Sequence, residues 1–433
     1  MEEMSMEKDN ELTDNIKIKV SPSSNYALES GDTHLYAQLE LEAVEEIIET
    51  EERIDLNLSV VLDRSGSMDG AKIEKAKKAV EFIIENMSKS DIFSLVIYDD
   101  IIETIVPAAK LTEKASVIAK VKSITARHMT NLHDGMMEGV HQVRQNKNLE
   151  YRNVVLLLSD GLANKGITSK LQIAKSAKAV HDKDGITIST FGIGGDFNED
   201  MLVSIADAAS GEFYYIKSAD DIPVFIEKEF KGLLATIAAN IQVRVEQTQG
   251  VKMQRILGVS LEEQTNQPFK LGDLRSGNNR MIILDLLISS GKQDSQREIV
   301  TFKVEWFPAH SGLEKISKKY PCVITFTNDE ELLTSENQKV LDNVVILETA
   351  LVREEAIYLA DKGQFSEAQR LISKQQSILK SRAELPGASP KLESVFEENK
   401  SLLSDTLTER MYTTDSRKMA YSSSYNLRKQ RKK

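Results

Sequence analysis

Asp63, Ser65 and Ser67 occupy alternate positions of the stretch SVVLDRSGSMDG, residues 59–70. Together they offer one carboxylate and two hydroxyls, and Gly66 permits a tight turn that points both hydroxyls the same way. Hard oxygen donors without His or Cys suit Mg2+ or Mn2+ rather than zinc. One acid and two hydroxyls are too few to enclose a cation, so other loops must contribute. LLLSDGLAN places Asp160 and Gly161 at the end of another apolar run, and ARHMTNLHDGM places Thr130 in the loop before a helical pattern. The competing reading of the turn is a helix cap, because Ser and Asp favour N-cap positions. Asp69 reads as an ordinary acid at a helix start. His128 and His133 flank Thr130 without a partner nucleophile and read as loop and helix-surface residues.

The elements that must position these residues follow an alternating pattern. LSVVLD, FSLVIY (93–98), NVVLLLS (153–159), ITISTFGI (186–193) and GEFYYI read as strands, with amphipathic helical stretches between them. Several of the strands are apolar at nearly every position, as in a parallel sheet covered by helices on both faces. The expectation is an α/β domain over 51–239, built on a doubly wound, mostly parallel sheet. In such a sheet ligands bind beyond the carboxyl ends of the strands, which is where Asp63 and Asp160 fall.

Either side of this domain the pattern changes. IQVRVEQ, VKMQRIL, MIILDLLIS, IVTFKVEWF and CVITFT read as strands with no helix between them, so 240–330 is expected to be β-sandwich-like. The strands at 16–44, within an N-terminal segment 14–50, are expected to complete that sandwich. Residues 331–403 carry two apolar helical stripes broken by KGQF, the pattern of a helical hairpin, and YLADKGQFSEAQRLI resembles a single tetratricopeptide unit. The acidic residues 1–13 are expected to be disordered. Residues 404–433 are expected to form a flexible basic tail, with seven Lys/Arg and no acid from Arg417 onward. Within it Tyr421, Ser422, Ser423, Ser424 and Tyr425 are candidates for regulatory phosphorylation, which would reverse the local charge.

Composition excludes several functions. The formal net charge over 433 residues is −12, so nucleic acid is not an expected partner. The one cysteine, Cys322, excludes an internal disulfide and a thiolate metal cluster, and is compatible with a reducing compartment. The N-terminal stretch has no apolar core of the secretory type, and no apolar run is long enough to span a membrane. A cytoplasmic location is the expectation.

Asp63, Ser65, Ser67, then Thr130, then Asp160, together with TNLHDGM and STFGIGGDFNEDMLVSIADAASGEFYYI, resemble the von Willebrand factor A domain and its metal-ion-dependent adhesion site. The resemblance covers about 51–239, and the flanking segments are similar to bacterial multi-domain members of the family. His128-Met129 stands where many relatives carry a glycine pair. The resemblance implies that Ser65 and Ser67 bind Mg2+ (or Mn2+) directly and Thr130 directly or through water. It implies that Asp63 and Asp160 act through water and hydrogen bonds. A cation held by neutral hydroxyls keeps an open position that attracts an Asp or Glu of a partner protein. The implied function is metal-dependent protein binding, in assembly or regulation of an intracellular complex, without catalysis.

Two other classes remain in view. A Mg2+-dependent phosphohydrolase would use Asp63 as nucleophile. Haloacid-dehalogenase-like phosphatases place a second Asp two residues on, where this chain has Ser65. No GxSxG elbow or GxxxxGK[ST] loop occurs, and GIGGD lacks the spacing of a dinucleotide loop. The third class is a metal-independent scaffold acting through the hairpin and tail.

Overall fold

The computed structural model describes residues 11–13, 15–44, 54–127, 129–147, 151–195, 197–259, 267–308, 314–405, 407–408 and 412–430. They divide into two compact units, with the chain leaving the first strands to form an α/β unit over 54–236 and returning to the other unit at Ile237.

The strands before the α/β unit are β1 (Glu11–Thr13), β2 (Ile16–Pro22), β3 (Tyr26–Leu28) and β4 (Thr33–Ala43). The α/β unit then runs β5 (Asp55–Asp63), α1 (Ala71–Asn86), β6 (Ile92–Tyr98), β7 (Ile102–Lys110), α2 (Lys114–Lys122) and α3 (Leu132–Gln145). It continues with β8 (Tyr151–Ser159), α4 (Lys170–Asp184), β9 (Thr187–Ile193), α5 (Glu199–Ala208), β10 (Ser210–Ile216) and α6 (Ile222–Leu234). The sheet order is β10-β9-β8-β5-β6-β7, parallel throughout except for β7, which runs antiparallel to β6 at one edge. This is the doubly wound, mostly parallel sheet of the sequence reading.

β5 lies at its centre and is covered on both faces. Leu56, Leu58, Val60 and Leu62 pack into the core shared with Ile73, Val80 and Ile83 of α1 and Ile226 and Phe230 of α6. The intervening positions face α3, where Asn57 Nδ2 donates to the Val143 carbonyl at 2.8 Å. The approach there is close enough to require glycine, because a Cβ on Gly139 would lie 2.2 Å from Val61. Two-sided burial is why the strand reads as a continuous apolar run.

The second unit continues with β11 (Thr236–Gln247), β12 (Val251–Leu257), β13 (Phe269–Arg275), β14 (Asn279–Ile288), β15 (Gln296–Pro308) and β16 (Ile316–Thr327). Its sheets run β1-β2-β4-β14-β12 and β13-β11-β15-β16-β3. The first sheet is antiparallel throughout, as are β11–β15 and β15–β16 in the second, whereas β16 and β3 run parallel. Their inner faces share one core that includes Ile18, Leu39, Leu284, Phe302 and Trp306. β11 crosses the expected boundary at 239/240, because α6 ends at Leu234 and the chain turns directly into a strand.

The helices α7 (Glu330–Leu333), α8 (Gln338–Asp361), α9 (Phe365–Ala383), α10 (Pro390–Asp405) and α11 (Thr414–Arg428) follow. α8 lays Val344 and Leu347 on Leu257, Met281 and Ile283, the outer face of the β12–β14 pair. α8 and α9 form the hairpin, but α10 and α11 extend it into a larger helical layer. Arg353 of α8 is buried there, donating to Asn399 Oδ1 at 2.7 Å and to the Val395 carbonyl at 2.9 Å.

Three sequence expectations need correction. Residues 11–13 are not disordered: they pair with 16–18 as β1–β2, while 1–10 lie outside the described residues. The basic segment is not a flexible tail, because 414–428 form α11, opened by a capping box between Thr413 and Ser416 and packed on α8. Ser424 and Tyr425 are buried in that helix, with the Ser424 hydroxyl donating to the Ala420 carbonyl at 3.0 Å, so neither is open to a kinase in the folded chain. Ser423 is also tied in, 3.2 Å from Glu398 Oε2. Tyr421 and Ser422 lie in the same helix at intermediate exposure. Among the described residues no helix is long and apolar enough to cross a membrane.

Candidate metal centre

Asp63 is the last residue of β5 and has no exposed surface. The turn after it folds back on the carboxylate: the Ser65 amide donates to Asp63 Oδ1 at 2.8 Å, and the Ser159 hydroxyl donates to Oδ2 at 2.9 Å. Burial pushes the Asp63 carboxyl up to about 6; the bonds from Ser65 and Ser159 pull it down, and the Asp160 charge adds to the rise. The carboxylate is thus fixed by its neighbours and points no lone pair at random.

Ser65 and Ser67 follow on a short 3-10 turn. Their hydroxyl oxygens are 3.1 Å apart, and Ser67 Oγ donates to Asp160 Oδ1 at 2.7 Å. Asp160 follows directly on β8, and it too is fully buried. Its second oxygen meets the Lys72 ammonium, which also donates to the Ser67 carbonyl at 3.1 Å. The helix-cap reading fails here: the Ser65 side chain makes no capping bond, and the N-cap of α1 is Gly70.

Thr130 joins the group from the loop before α3. Its amide donates to Asn164 Oδ1 at 2.9 Å, and its carbonyl accepts from the Asn164 amide at 3.1 Å and the Lys165 amide at 3.3 Å. Those bonds clip the Thr130 loop to the loop after β8. The convergence is visible from Gly161. A Cβ built there would lie 3.4 Å from Thr130 Oγ1, 3.5 Å from Ser67 Oγ and 4.0 Å from Ser65 Oγ. Three hydroxyls from two loops therefore border one small volume, with the carboxylates of Asp63 and Asp160 behind them.

The donor set fits a small hard cation. Mg2+ holds oxygen at about 2.0–2.1 Å in an octahedron, which sets adjacent donors about 3 Å apart. The 3.1 Å between Ser65 and Ser67 oxygens matches that spacing without rearrangement. All five sequence-predicted residues are brought together. Asp69 is exposed on the turn ahead of α1. His133 lies against α4, 3.3 Å from Ser176 Oγ, as a helix-surface residue should. His128 lies outside the described residues.

Sequence reasoning missed three supporting groups. Ser159 and Lys72 hold the two acids, and no local pattern marks them. Arg64, the variable position inside the motif, turns inward: its Nε is 2.8 Å from Asp99 Oδ2 and its Nη2 is 2.5 Å from Glu103 Oε1. Its carbonyl accepts from the Arg127 amide at 2.6 Å. Arg64 thus ties the serine turn both to the β6–β7 turn and to the loop that leads to Thr130. Its partners are 35 or more residues distant in sequence, so only the fold reveals them.

Residues 57–228 match the von Willebrand factor type A domain model. The uncharacterized protein YfbK of Escherichia coli is 24% identical over 274 residues, covering 58% of this chain and 48% of that protein. The uncharacterized protein sll0103 of Synechocystis is 23% identical over 276 residues, covering 61% of this chain and 65% of that protein. The chain therefore spans about half to two thirds of the length of these relatives. Among solved structures, the von Willebrand factor type A protein from Catenulispora acidiphila superposes with a TM-score of 0.66 at 15% identity, covering 90% of this chain and 95% of that one. That likeness extends the shared fold beyond the α/β unit. Domains of this family generally mediate protein–protein interactions without catalysis, and often do so through a divalent metal. On the family match, the sheet order and the fold likeness together, residues 57–228 are a von Willebrand factor type A domain.

Proposed function

We propose that this chain binds a partner protein through a Mg2+ ion (or Mn2+) at the carboxyl edge of the α/β sheet. The observation that carries the reading is the convergence of Ser65, Ser67 and Thr130 hydroxyls beside Gly161, with two buried acids behind them. Ser65 and Ser67 would hold the ion, Thr130 would hold it directly or through water, and Asp63 and Asp160 would orient the donors. When bound, the ion supplies an electrophilic position for a carboxylate oxygen of the partner. The chain's own part is to fix the donors, through Ser159 and the Ser65 amide on Asp63 and through Ser67 on Asp160. Neutral hydroxyls leave the positive charge incompletely compensated, which favours an acidic residue from outside.

We read the chain as non-catalytic. Asp63 is fully buried and its two oxygens are occupied by Ser65 and Ser159, which is a poor state for a nucleophile. The single thiol, Cys322, is buried, and a role in assembling or regulating a complex in the reducing cytoplasm is the setting we assign.

The test is calorimetric titration of Mg2+ and Mn2+ into the full chain and into Ser65→Ala and Asp63→Asn, with folding checked by circular dichroism. A companion capture of partners is done in Mg2+ and in EDTA. Loss of ion binding in both variants, with the fold kept and a partner retained only in Mg2+, is the expected result. Undiminished ion binding in both variants would sink the reading.

A further inference from the structure

The loops that carry the hydroxyl cluster also carry an apolar rim. Among the described residues of the α/β unit, the exposed large hydrophobic side chains are Ile101, Met129, Leu162, Ile167, Leu171 and Val224. The first five belong to the β6–β7 turn, the Thr130 loop, and the segment from Gly161 into α4. Leu162 and Leu171 are 56% and 64% exposed, so each leaves most of an aliphatic side chain in water.

Backbone bonds set these segments side by side. The Asn131 amide donates to the Asp99 carbonyl at 2.9 Å, and the Asn164 amide to the Thr130 carbonyl at 3.1 Å. Lys165 Nζ donates to the Asp100 carbonyl at 2.9 Å. Met129 directly precedes Thr130, and Leu162 is two residues beyond Asp160. Met129 and Leu162 thus sit on the segments that carry the cluster, bonded to the turn that carries Ile101. Charged side chains in the same loops are engaged with each other: Arg127 lies 3.7 Å from Glu103, and Lys165 lies 3.7 Å from Asp100. Isolated exposed apolar residues need no explanation, but a group gathered on adjoining loops marks a contact surface.

We propose that the partner presents its acidic residue within an apolar segment, so that the carboxylate meets the hydroxyl-held ion while flanking large apolar side chains cover Met129, Leu162 and Leu171. The inference rests on the metal reading above and adds the chemistry of the partner to it. The centre selects an anionic oxygen; the rim selects what lies on either side. An acidic residue set among glycines or charges would satisfy the centre and leave the rim in water.

The test uses fluorescence polarisation with three labelled short peptides: Asp flanked by Leu and Phe, Asp flanked by Gly, and Asn flanked by Leu and Phe. Each is titrated with the full chain in Mg2+ and in EDTA. The Leu/Phe-flanked Asp peptide is expected to bind about tenfold tighter than the Gly-flanked one, the effect of burying roughly one aliphatic side chain. The Asn peptide and EDTA are expected to abolish binding. The double variant Leu162→Ser, Leu171→Ser should erase the tenfold preference while keeping the calorimetric Mg2+ affinity. Equal binding of the two Asp peptides, with Mg2+ affinity intact, would overturn this inference and leave the metal centre standing. Absence of Mg2+ binding by calorimetry would overturn the metal reading and this inference with it. Peptide binding that survives EDTA, or Mg2+-dependent self-association of the chain through Leu162 and Leu171, would also overturn it.

Discussion

Replacing Gly161 by alanine separates a structural turn from a metal centre, because the two make opposite demands on the same atom. The glycine has no left-handed backbone angle to protect, and the new methyl would meet Thr130 Oγ1 at 3.4 Å, Ser67 Oγ at 3.5 Å and Ser65 Oγ at 4.0 Å. These are ordinary van der Waals distances, so the fold should accept the methyl. If the turn is only structural, the variant is neutral or gains about 0.4–1 kcal/mol from the stiffer unfolded chain. If the hydroxyls hold a hydrated ion, the methyl covers the volume that ion and its waters need. Leaving one polar position unsatisfied costs about 1–3 kcal/mol, which is a loss of roughly five- to 150-fold in Mg2+ affinity. The assay pairs thermal unfolding without metal against calorimetric Mg2+ titration. Unchanged unfolding with strongly weakened binding is the expected pair. Mg2+ affinity equal to that of the parent chain would refute the placement of the ion beside Gly161.

Two further perturbations test the charges. Lys72 pairs with the Asp160 oxygen that Ser67 does not bond, so Lys72→Met should lower metal-free stability and tighten Mg2+ binding by up to about tenfold; weaker binding on calorimetry would contradict the assigned role. Glu305 on β15 is bonded by Lys303 and Lys315, each at 2.8 Å, and these hold its carboxyl down from the usual 4.5 to about 2. A depressed carboxyl contributes stability above its unfolded value and loses it as pH falls through the folded value. The urea stability gap between parent and Glu305→Gln should therefore be full at about pH 7, at roughly 1–2 kcal/mol, and shrink below about pH 4.5 toward pH 2; a gap that widens on acidification would reject the pairing.

How much of this was legible in sequence differs by element, for physical reasons. β5, β6, β8 and β9 are buried on both faces, and burial on both faces writes an uninterrupted apolar run. Asp63, Ser65 and Ser67 stood out as candidates because a strand-end acid followed by hydroxyls around a glycine serves no packing need. β7 was not read as a strand. It is an edge strand, its sequence IETIVPAAK contains Pro107, and its residues are mostly half-exposed, so neither alternation nor a continuous run survives. Arg64 was unreadable for a different reason: its role depends on Asp99 and Glu103, which only the folded sheet brings within reach.

The segment 414–428 shows the limit most plainly. Its buried face joins Leu427 to Lys418, Ser424, Tyr425 and Arg428, residues whose polar ends hide an amphipathic pattern from any count of apolar positions. The compensating charges lie on α8: Arg417 Nε donates to Asp361 Oδ1 at 2.7 Å, and Arg428 Nε to Glu354 Oε1 at 3.1 Å. Residues that read as a solvated basic run are thus partners of acids some 50–75 positions earlier. This weakens the scaffold alternative on its own terms. A docking tail needs free charge, and Arg417 and Arg428 are engaged within the helical layer. Reaching Ser424 or Tyr425 would require α11 to leave α8 and expose Leu427 and Tyr425, whose apolar burial opposes it. The carboxyl edge of the α/β sheet has the reverse character, with Met129 and Leu162 left in water on the loops that bring the hydroxyls together. Of these two surfaces, only the second has the form of one that awaits a partner.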